Sequence, residues 1–161
     1  VLDGHLANHQ MRGTFSDFEQ VDIHDVAERT YRADYCVPAQ LTIPLLTRWM
    51  LVFEERDADC LWLCKAAPQR WFAPGQRWSV KDAPTRWGRV SFEVQAADDR
   101  VVVQVTPPER EVEAIYLRVR LPSGEPIRSA TVNGQPAELD VARSVIVLRR
   151  QAAPCEVVIE H

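Results

Sequence analysis

Three pairs of closely spaced carboxylates are the first candidates for catalytic chemistry. Hydrolysis of a glycosidic bond needs two carboxyl groups, one acting as the acid and the other as the base or nucleophile. The pairs are Asp17 with Glu19, Asp57 with Asp59, and Asp98 with Asp99. All three pairs fall in predicted loops, where a solvated turn explains them. A catalytic acid needs burial to raise its pKa, and nothing in the flanking pattern predicts such burial.

Histidines are weaker candidates. His5 and His9 are spaced i, i+4 and could share one helix face as zinc ligands, but HLANH has no Glu between them and no spacing supplies a third ligand. His24 lies in the same amino-terminal stretch and His161 is the last residue. The chain has no GxSxG elbow and no glycine-rich phosphate loop. We therefore predict no catalytic residue, no metal site and no cofactor.

Four cysteines have a spacing that matches neither a paired CxxC zinc site nor a dense disulfide framework. They are Cys36, Cys60, Cys64 and Cys155. In CLWLC, a period of two places Cys60 and Cys64 on one strand face with Trp62, about 13 Å apart at roughly 3.3 Å per residue. That separation is too long for a disulfide. We therefore predict buried or half-buried free thiols.

Four aromatic residues lie within a short stretch and could bind a ligand. They are Trp71, Phe72, Trp78 and Trp87. A carbohydrate-binding module would present such rings as a platform for the apolar faces of sugars, so Trp71, Trp78 and Trp87, with the neighbouring Arg86, are candidate sugar-binding residues. The alternative is that Trp78, which shares parity with Val80, belongs to the core, and that Trp71 and Phe72 close one end of the domain.

The composition fits one globular domain with a short appendage. The chain has 161 residues, of which 46% are hydrophobic, and a net charge of −4. Seventeen Arg and two Lys are interleaved with acids rather than clustered, so we expect no nucleic-acid partner. No apolar stretch is long enough to span a bilayer, so we expect no membrane partner. Because the first residue is Val1 rather than Met, we expect a processed form or an excised piece of a longer chain.

A helix is predicted over residues 43–54, and a period of two governs the pattern from residue 60 onward. Seven to nine short strands separated by turn residues favour an antiparallel β-sandwich, with an open barrel as the alternative. The mainly β domain spans residues 59–161, and residues 1–58 form an irregular and helical segment before it. Asn133-Gly134 predicts a type I′ hairpin whose return strand runs from Pro136 to Leu139.

The alternation also predicts which strand residues face the core. The inward side chains should be Val90, Phe92, Val94, Val101, Val103, Val105, Ile115, Leu117, Val119 and Leu121. Two carboxy-terminal runs, SVIVLRR and CEVVIE, are apolar on both faces. They should therefore form central or covered strands.

Three stretches of the chain resemble the end of large bacterial carbohydrate-active enzymes. They are LWLCKAAPQRWFAPGQRWSVKDAPTRWGRVSFEV at 61–94, LRVRLPSGEPIRSATVNGQPAEL at 117–139, and LTIPLLTRWMLVFE at 41–54. In those enzymes, which include rhamnosidase-like glycosidases, an (α/α)₆ barrel of glycoside hydrolase type is followed by a carboxy-terminal β-sandwich. The stretch at 41–54 resembles the final helix before that sandwich.

The resemblance implies a non-catalytic accessory domain. In such enzymes the acid and base come from barrel loops, and the matching stretches here contain no catalytic residue to carry over. A barrel of twelve helices needs roughly 190 residues at typical element and loop lengths, which is more than the whole chain has. The implied partner is the (α/α)₆ catalytic domain of the parent chain, which the sandwich would pack against and stabilise.

Two other hypotheses come from different functional classes. One is a carbohydrate-binding module that uses the exposed tryptophans. The other is a self-contained enzyme that uses the amino-terminal histidines and acids. The accessory-domain hypothesis differs from both, because it predicts an exposed apolar patch on one sandwich face and on the helix at 43–54.

Overall fold

The computed structural model describes residues 37–122, 124 and 126–161. The chain divides into two compact units with the boundary after Arg48. Several predicted residues lie outside the described part, namely His5, His9, Asp17, Glu19, His24 and Cys36. Nearly all of the predicted β region can therefore be compared with the structure.

One helix and eleven strands make up the described chain. Helix α1 spans Val37–Leu51. The strands are β1 (Val52–Glu54), β2 (Cys60–Leu63), β3 (Arg77–Thr85), β4 (Gly88–Ala96), β5 (Arg100–Thr106), β6 (Ala114–Arg118), β7 (Ser129–Val132), β8 (Gln135–Pro136), β9 (Glu138–Asp140), β10 (Val145–Arg149) and β11 (Cys155–Glu160). A 3₁₀ turn at Gln69–Phe72 precedes β3.

The predicted helix over residues 43–54 is wrong at both ends. Helix α1 begins six residues earlier and ends at Leu51, and the next three residues form β1. Val52 pairs with Leu63 of β2 and is only 2% exposed, so an extended backbone buries it against the sheet partner. Because the run Met50 to Phe53 is apolar at every position, its pattern does not distinguish a helix from a strand.

The strands form two sheets, which confirms the predicted mainly β sandwich. The five-stranded sheet has the order β1-β2-β6-β10-β9, and the six-stranded sheet has the order β3-β4-β5-β11-β7-β8. Pairing is antiparallel except between β2 and β6, which run parallel. The sheets contain more strands than the predicted seven to nine, because β1, β8 and β9 have only two or three residues each and are too short to show a period.

Side chains from both sheets form one hydrophobic core. All ten residues predicted to face inward are buried, from Val90 on β4 to Leu121 after β6. The five-stranded sheet also contributes Leu61 and Ile146, and the six-stranded sheet contributes Val157 and Ile159. Strands β10 and β11 each lie between two neighbours. Both strands are therefore central, as predicted, but β11 has one buried face and one face that carries the exposed Glu156 and Glu160.

The Asn133-Gly134 hairpin forms as predicted, but its return strand does not. Positive φ angles of 48° at Asn133 and 76° at Gly134 match a type I′ turn. The predicted strand from Pro136 to Leu139 is wrong, since β8 belongs to the six-stranded sheet and β9 to the five-stranded sheet. The chain crosses between the sheets at Ala137, whose backbone N–H donates to the carbonyl of Ala130.

Three cysteines are buried free thiols, as the sequence predicts. Cys60, Cys64 and Cys155 are each buried and unbridged. Cys64 follows the end of β2 with a φ of +58°, so the chain leaves the strand there. Its side chain packs in the core with Leu61 and Leu63.

Candidate functional site

Two of the three candidate tryptophans lie in one aromatic cluster at the start of the six-stranded sheet. Trp71 is in the 3₁₀ turn and Trp78 is on β3, and their ring centroids are 5.4 Å apart. Trp78 also meets Phe72 and Phe92 edge to face, at 5.8 Å each. The indole N–H of Trp78 donates to the Trp71 carbonyl at 2.9 Å. These contacts hold the 3₁₀ turn against β3 and β4.

The rings of Trp71 and Trp78 do not share a plane. Their planes meet at 64° and both side chains are half-buried. A sugar stacks on a ring face, so this pair presents edges and part-covered faces rather than one flat platform. Sugar binding by Trp71 and Trp78 stays a prediction.

The third tryptophan, Trp87, has a different environment. It is 8% exposed, and the guanidinium of Arg86 lies 4.1 Å from the centre of its ring. Arg86 Nη2 donates to the carbonyl of Ala58 at 2.5 Å, and its backbone N–H donates to Glu54. Arg86 therefore ties the loop after β1 to the β3–β4 turn. Among the described rings, Trp87 makes no contact with Trp71 or Trp78, so the structure does not bring the predicted set together.

The candidate acids that the structure describes are exposed loop residues. Asp57 and Asp59 lie between β1 and β2, and Asp98 and Asp99 lie between β4 and β5. Within the described ranges, no group of three His, Cys, Asp or Glu side chains could hold a metal ion. No helix there is long and apolar enough to cross a membrane.

A row of apolar side chains crosses the outer face of the five-stranded sheet. Phe53 on β1 pairs with Trp62 on β2, Trp62 with Tyr116 on β6, and Tyr116 with Val147 on β10. The ring centroids of Trp62 and Tyr116 are 4.9 Å apart. Trp49, near the end of α1, meets Phe53 edge to face at 6.4 Å. The sandwich therefore has an apolar layer outside its core, in which Trp62 is only 6% exposed.

Cations cover part of this row. Lys65 Nζ lies 3.7 Å from the centre of the Phe53 ring and 5.0 Å from that of Trp62. Arg143 lies 5.3 Å from the Trp62 ring on the same face. Such contacts are stabilising because the ring face carries negative charge. Lys65 also donates to Glu55 at 2.9 Å, and this hydrogen bond lowers the pKa of the Glu55 carboxyl.

Arg118 and Arg120 carry positive charge on the same face without a carboxylate partner among the described residues. Each guanidinium donates one hydrogen bond to a backbone carbonyl, Arg118 to Lys65 at 3.3 Å and Arg120 to Ala67 at 2.5 Å. The Nε atoms of both are buried and have no acceptor among the residues that the structure describes. Burial, and then the charges of Arg120 and Arg143, lower the pKa of Arg118. We call Lys65, Arg118, Arg120 and Arg143 the cation cluster.

Helix α1 leaves large apolar side chains in contact with solvent. Leu41, Leu45 and Trp49 are 58%, 43% and 47% exposed, and they follow one another at intervals of four residues. Residues four apart lie on the same side of an α-helix. We call this set the helix stripe. Among the described residues, Val141 is the one other large apolar side chain with comparable exposure.

A groove crosses the outer face of the six-stranded sheet on β3, β4 and β5. Its volume is about 220 Å³. The residues that line it are Ser79, Val80, Lys81, Ser91, Phe92, Glu93, Gln104 and Thr106, of which Val80 and Phe92 pack in or against the core. The sequence does not reveal this groove, because its polar residues come in pairs from three strands and resemble any solvated sheet face. The available signal is the break in alternation between Val80 and Ala83, which marks a bulge.

Comparisons with known proteins give structural neighbours but no family. No protein-family model matches the chain, and no curated protein matches it. A GH127 β-arabinofuranosidase is similar over 97% of this chain, with 14% identity and a TM-score of 0.45. The cycloalternan-forming enzyme of Listeria monocytogenes matches 63% of the chain with 10% identity and a TM-score of 0.42.

A third neighbour is the GH31 dextranase of Flavobacterium johnsoniae. It matches 63% of the chain with 8% identity and a TM-score of 0.42. The chain covers 26% of the arabinofuranosidase, 10% of the cycloalternan-forming enzyme and 16% of the dextranase. Structural neighbours of this chain thus include glycoside hydrolases that are several times longer.

Proposed function

We propose that this chain is a non-catalytic accessory β-sandwich of a larger glycoside hydrolase, which packs against the catalytic domain and stabilises it. The helix stripe is the observation that carries this proposal. Three large apolar side chains, each about half exposed, recur at helical spacing on one element. Singly exposed apolar residues are ordinary on protein surfaces, whereas a contiguous set marks a contact surface.

The helix stripe is the kind of feature that a docked domain would bury. Full burial of one large apolar side chain contributes about 1.5–3 kcal/mol. Leu41, Leu45 and Trp49 are already about half covered, so docking gains roughly half of that from each. This gain favours association of domains that are already linked in one chain, since linkage raises the effective concentration.

The cation cluster supports the same proposal through charge. Arg118 and Arg120 have buried guanidinium nitrogens without acceptors, and no described carboxylate neutralises either. Both side chains are half-buried, so a partner surface that carries Asp or Glu would supply the missing charge at their exposed part. We therefore infer that the catalytic domain presents carboxylates to this face of the sandwich.

The family context comes from the sequence resemblance. The stretches at 41–54, 61–94 and 117–139 resemble the end of (α/α)₆ glycoside hydrolases, where the sandwich follows the barrel. The stretch at 41–54 contains all three residues of the helix stripe, so the resemblance and the exposed surface concern the same segment. The proposed partner is thus the (α/α)₆ domain of the parent chain.

The experiment uses the parent protein encoded by the full reading frame. Leu41→Ser with Leu45→Ser should lower the melting temperature of the catalytic domain by several degrees, because the interface loses buried apolar area. Val141→Ser is the matched control, since Val141 is equally exposed but not on the helix. Equal effects of the two variants, or a reading frame without a preceding helical domain, would contradict the proposal.

A further inference from the structure

We propose that the groove on the outer face of the six-stranded sheet binds one neutral sugar ring. The site is distinct from the tryptophan cluster and uses none of the candidate residues of the sequence analysis. It also goes beyond the accessory role, because it gives the sandwich a ligand of its own.

A β-bulge in β3 forms one end of the groove. Val80 pairs with Phe92 and Ala83 with Val90, so two residues of β3, Lys81 and Asp82, lie opposite the single residue Ser91. Asp82 has a φ of +51°, which is uncommon for a residue other than glycine. Bulges redirect side chains and are frequent beside binding sites.

Side chains hold this bulge in place. The backbone N–H of Asp82 donates to Ser91 Oγ at 2.8 Å, and Arg89 Nη1 donates to the Asp82 carbonyl at 3.1 Å. Ser91 Oγ also donates to Asp82 Oδ1 at 3.4 Å. The unusual backbone is therefore fixed from the neighbouring strand, and the groove exists without a ligand.

Two polar groups of the groove are positioned in advance. Glu93 Oε1 accepts from Gln95 at 2.8 Å and from Arg77 Nε at 2.8 Å, and these bonds lower the pKa of Glu93. Gln104 Nε2 donates to Glu156 at 2.7 Å. Each side chain keeps one oxygen, Glu93 Oε2 or Gln104 Oε1, without a hydrogen bond to any described residue. These oxygens are ready acceptors for ligand hydroxyls.

Other polar groups of the groove have no hydrogen-bond partner in the described part of the chain. They are the Ser79 and Thr106 hydroxyls and the Lys81 ammonium. Ser79 pairs with Glu93 across the strands, Glu93 pairs with Gln104, and Ser91 pairs with Thr106. Two rows of polar side chains therefore run across three strands. Hydroxyls both donate and accept, and the ammonium only donates.

The size and charge of the groove select the ligand class. Its volume of about 220 Å³ is smaller than the roughly 300–1,000 Å³ typical of drug-sized ligands, which suits a single ring. Lys81 and Glu93 carry opposite charges, so neither anions nor cations are favoured overall. A neutral polyhydroxylated ring provides hydroxyls that satisfy donors and acceptors together. No aromatic face is exposed in the groove, so the expected Kd is millimolar, on the order of 1–10 mM.

The test is a titration of the whole ¹⁵N-labelled chain, followed by backbone chemical shifts. The probes are glucose, arabinose and rhamnose, with glucuronate as a charged comparison. We expect saturable shifts on β3, β4 and β5 with the neutral sugars. Ser79→Tyr, which fills the groove, and Gln104→Ala, which removes an acceptor, should each weaken binding at least tenfold. Gln135→Ala is the matched control, because Gln135 is an exposed strand residue outside the groove.

Four results would overturn the proposal. They are no shift at 50 mM sugar, binding of glucuronate alone, shifts centred on Trp71 and Trp78, and unchanged binding by both variants. The backbone spectrum of each variant shows whether that variant folds. If Ser79→Tyr fails to fold, Gln104→Ala still tests the proposal. Since the titration uses the chain alone, its outcome is independent of whether the helix stripe docks to a catalytic domain.

Discussion

At the residue scale, Gly88 occupies a position that no other residue type could fill without a rearrangement. Its φ of +120° is a conformation that side chains disfavour, and a Cβ there would overlap the carboxylate of Glu109. That carboxylate accepts from the backbone N–H of Arg89 at 2.7 Å. Gly88 begins β4 directly after Trp87, so its freedom allows the loop that contains Glu109 to close over the β3–β4 turn.

Gly88→Ala should therefore destabilise the chain by about 2–3 kcal/mol, through backbone strain and displacement of Glu109. Gly75→Ala is the matched control, because Gly75 has a φ of +80° but open space around its Cβ position. The control should lose only about 1 kcal/mol. Urea denaturation midpoints measure the stability loss of each variant. Equal losses would show that the overlap with Glu109 adds nothing to the cost of a side chain at residue 88.

The ion pair between Glu138 and Arg149 makes the stability of the fold depend on pH in the acid range. Arg149 donates to both oxygens of Glu138, at 2.7 and 2.8 Å, and these bonds lower the pKa of Glu138. A carboxylate whose pKa is lower in the folded state stabilises the fold above its unfolded pKa. That contribution disappears as the pH falls through the folded pKa.

Glu138→Gln should consequently flatten the decline of the urea midpoint below about pH 4.5, where the unfolded carboxyl begins to protonate. At neutral pH the effect should be small, because the pair is exposed to solvent. Asp98→Asn, which also removes one carboxylate but lies in the exposed β4–β5 turn, is the matched control. A steeper decline in Glu138→Gln than in the unmodified chain would contradict the assignment.

The buried thiols should react slowly in the folded chain. Burial raises the pKa of Cys60, Cys64 and Cys155 and so depletes the reactive thiolate. In a Cys36→Ser background, a disulfide reagent should label none of the three at neutral pH within minutes and all three in urea. Stoichiometric labelling of the native chain would show that β2 or β11 is more open than described.

At the scale of elements, alternation predicts strand faces well but predicts element ends poorly. Strand β4 shows its inward parity most clearly, because polar and apolar residues alternate from Arg89 to Gln95. The end of α1 lies within an apolar run, where either backbone conformation buries side chains. Only the pairing of Val52 with Leu63 decides that β1 is extended. That information comes from the partner strand and is absent from the local sequence pattern.

The β7–β8 hairpin depends on Asn133 in two ways. Its positive φ suits the type I′ turn, and its backbone and side chain bracket one residue of β11. Asn133 N–H donates to the Glu156 carbonyl at 2.8 Å, and Asn133 Oδ1 accepts from the Glu156 N–H at 2.9 Å. The turn residue thus extends the pairing between β7 and β11.

Asn133→Ala should destabilise the chain by about 1–2 kcal/mol, since it removes one hydrogen bond and introduces a side chain that disfavours positive φ. Asn133→Gly should recover the part that is due to backbone strain but not the part that is due to the hydrogen bond. Thermal unfolding of the three chains measures this order. Equal stability of the Ala and Gly variants would show that backbone strain at residue 133 does not contribute to the loss of stability.

At the scale of the whole molecule, the fold class could be predicted from the sequence and the candidate sites could not. The sandwich follows from repeated short periods, which each strand carries in its own residues. The groove requires Ser79, Glu93 and Gln104 to meet across three strands, and the cation cluster requires Lys65 and Arg143 to reach one sheet face. Such meetings depend on strand order and register, which no single segment of the chain encodes.

The bulge in β3 has a consequence for solubility as well as for the groove. Strand β3 has nine residues and forms one edge of the six-stranded sheet, and a long regular edge is a template for pairing with another molecule. The two-for-one step at Lys81 and Asp82 interrupts that template near its middle, and Pro84 removes a donor beyond it. A chain without Asp82 would present a straighter edge, so the same irregularity that shapes the groove also interrupts the edge along which a second molecule would pair.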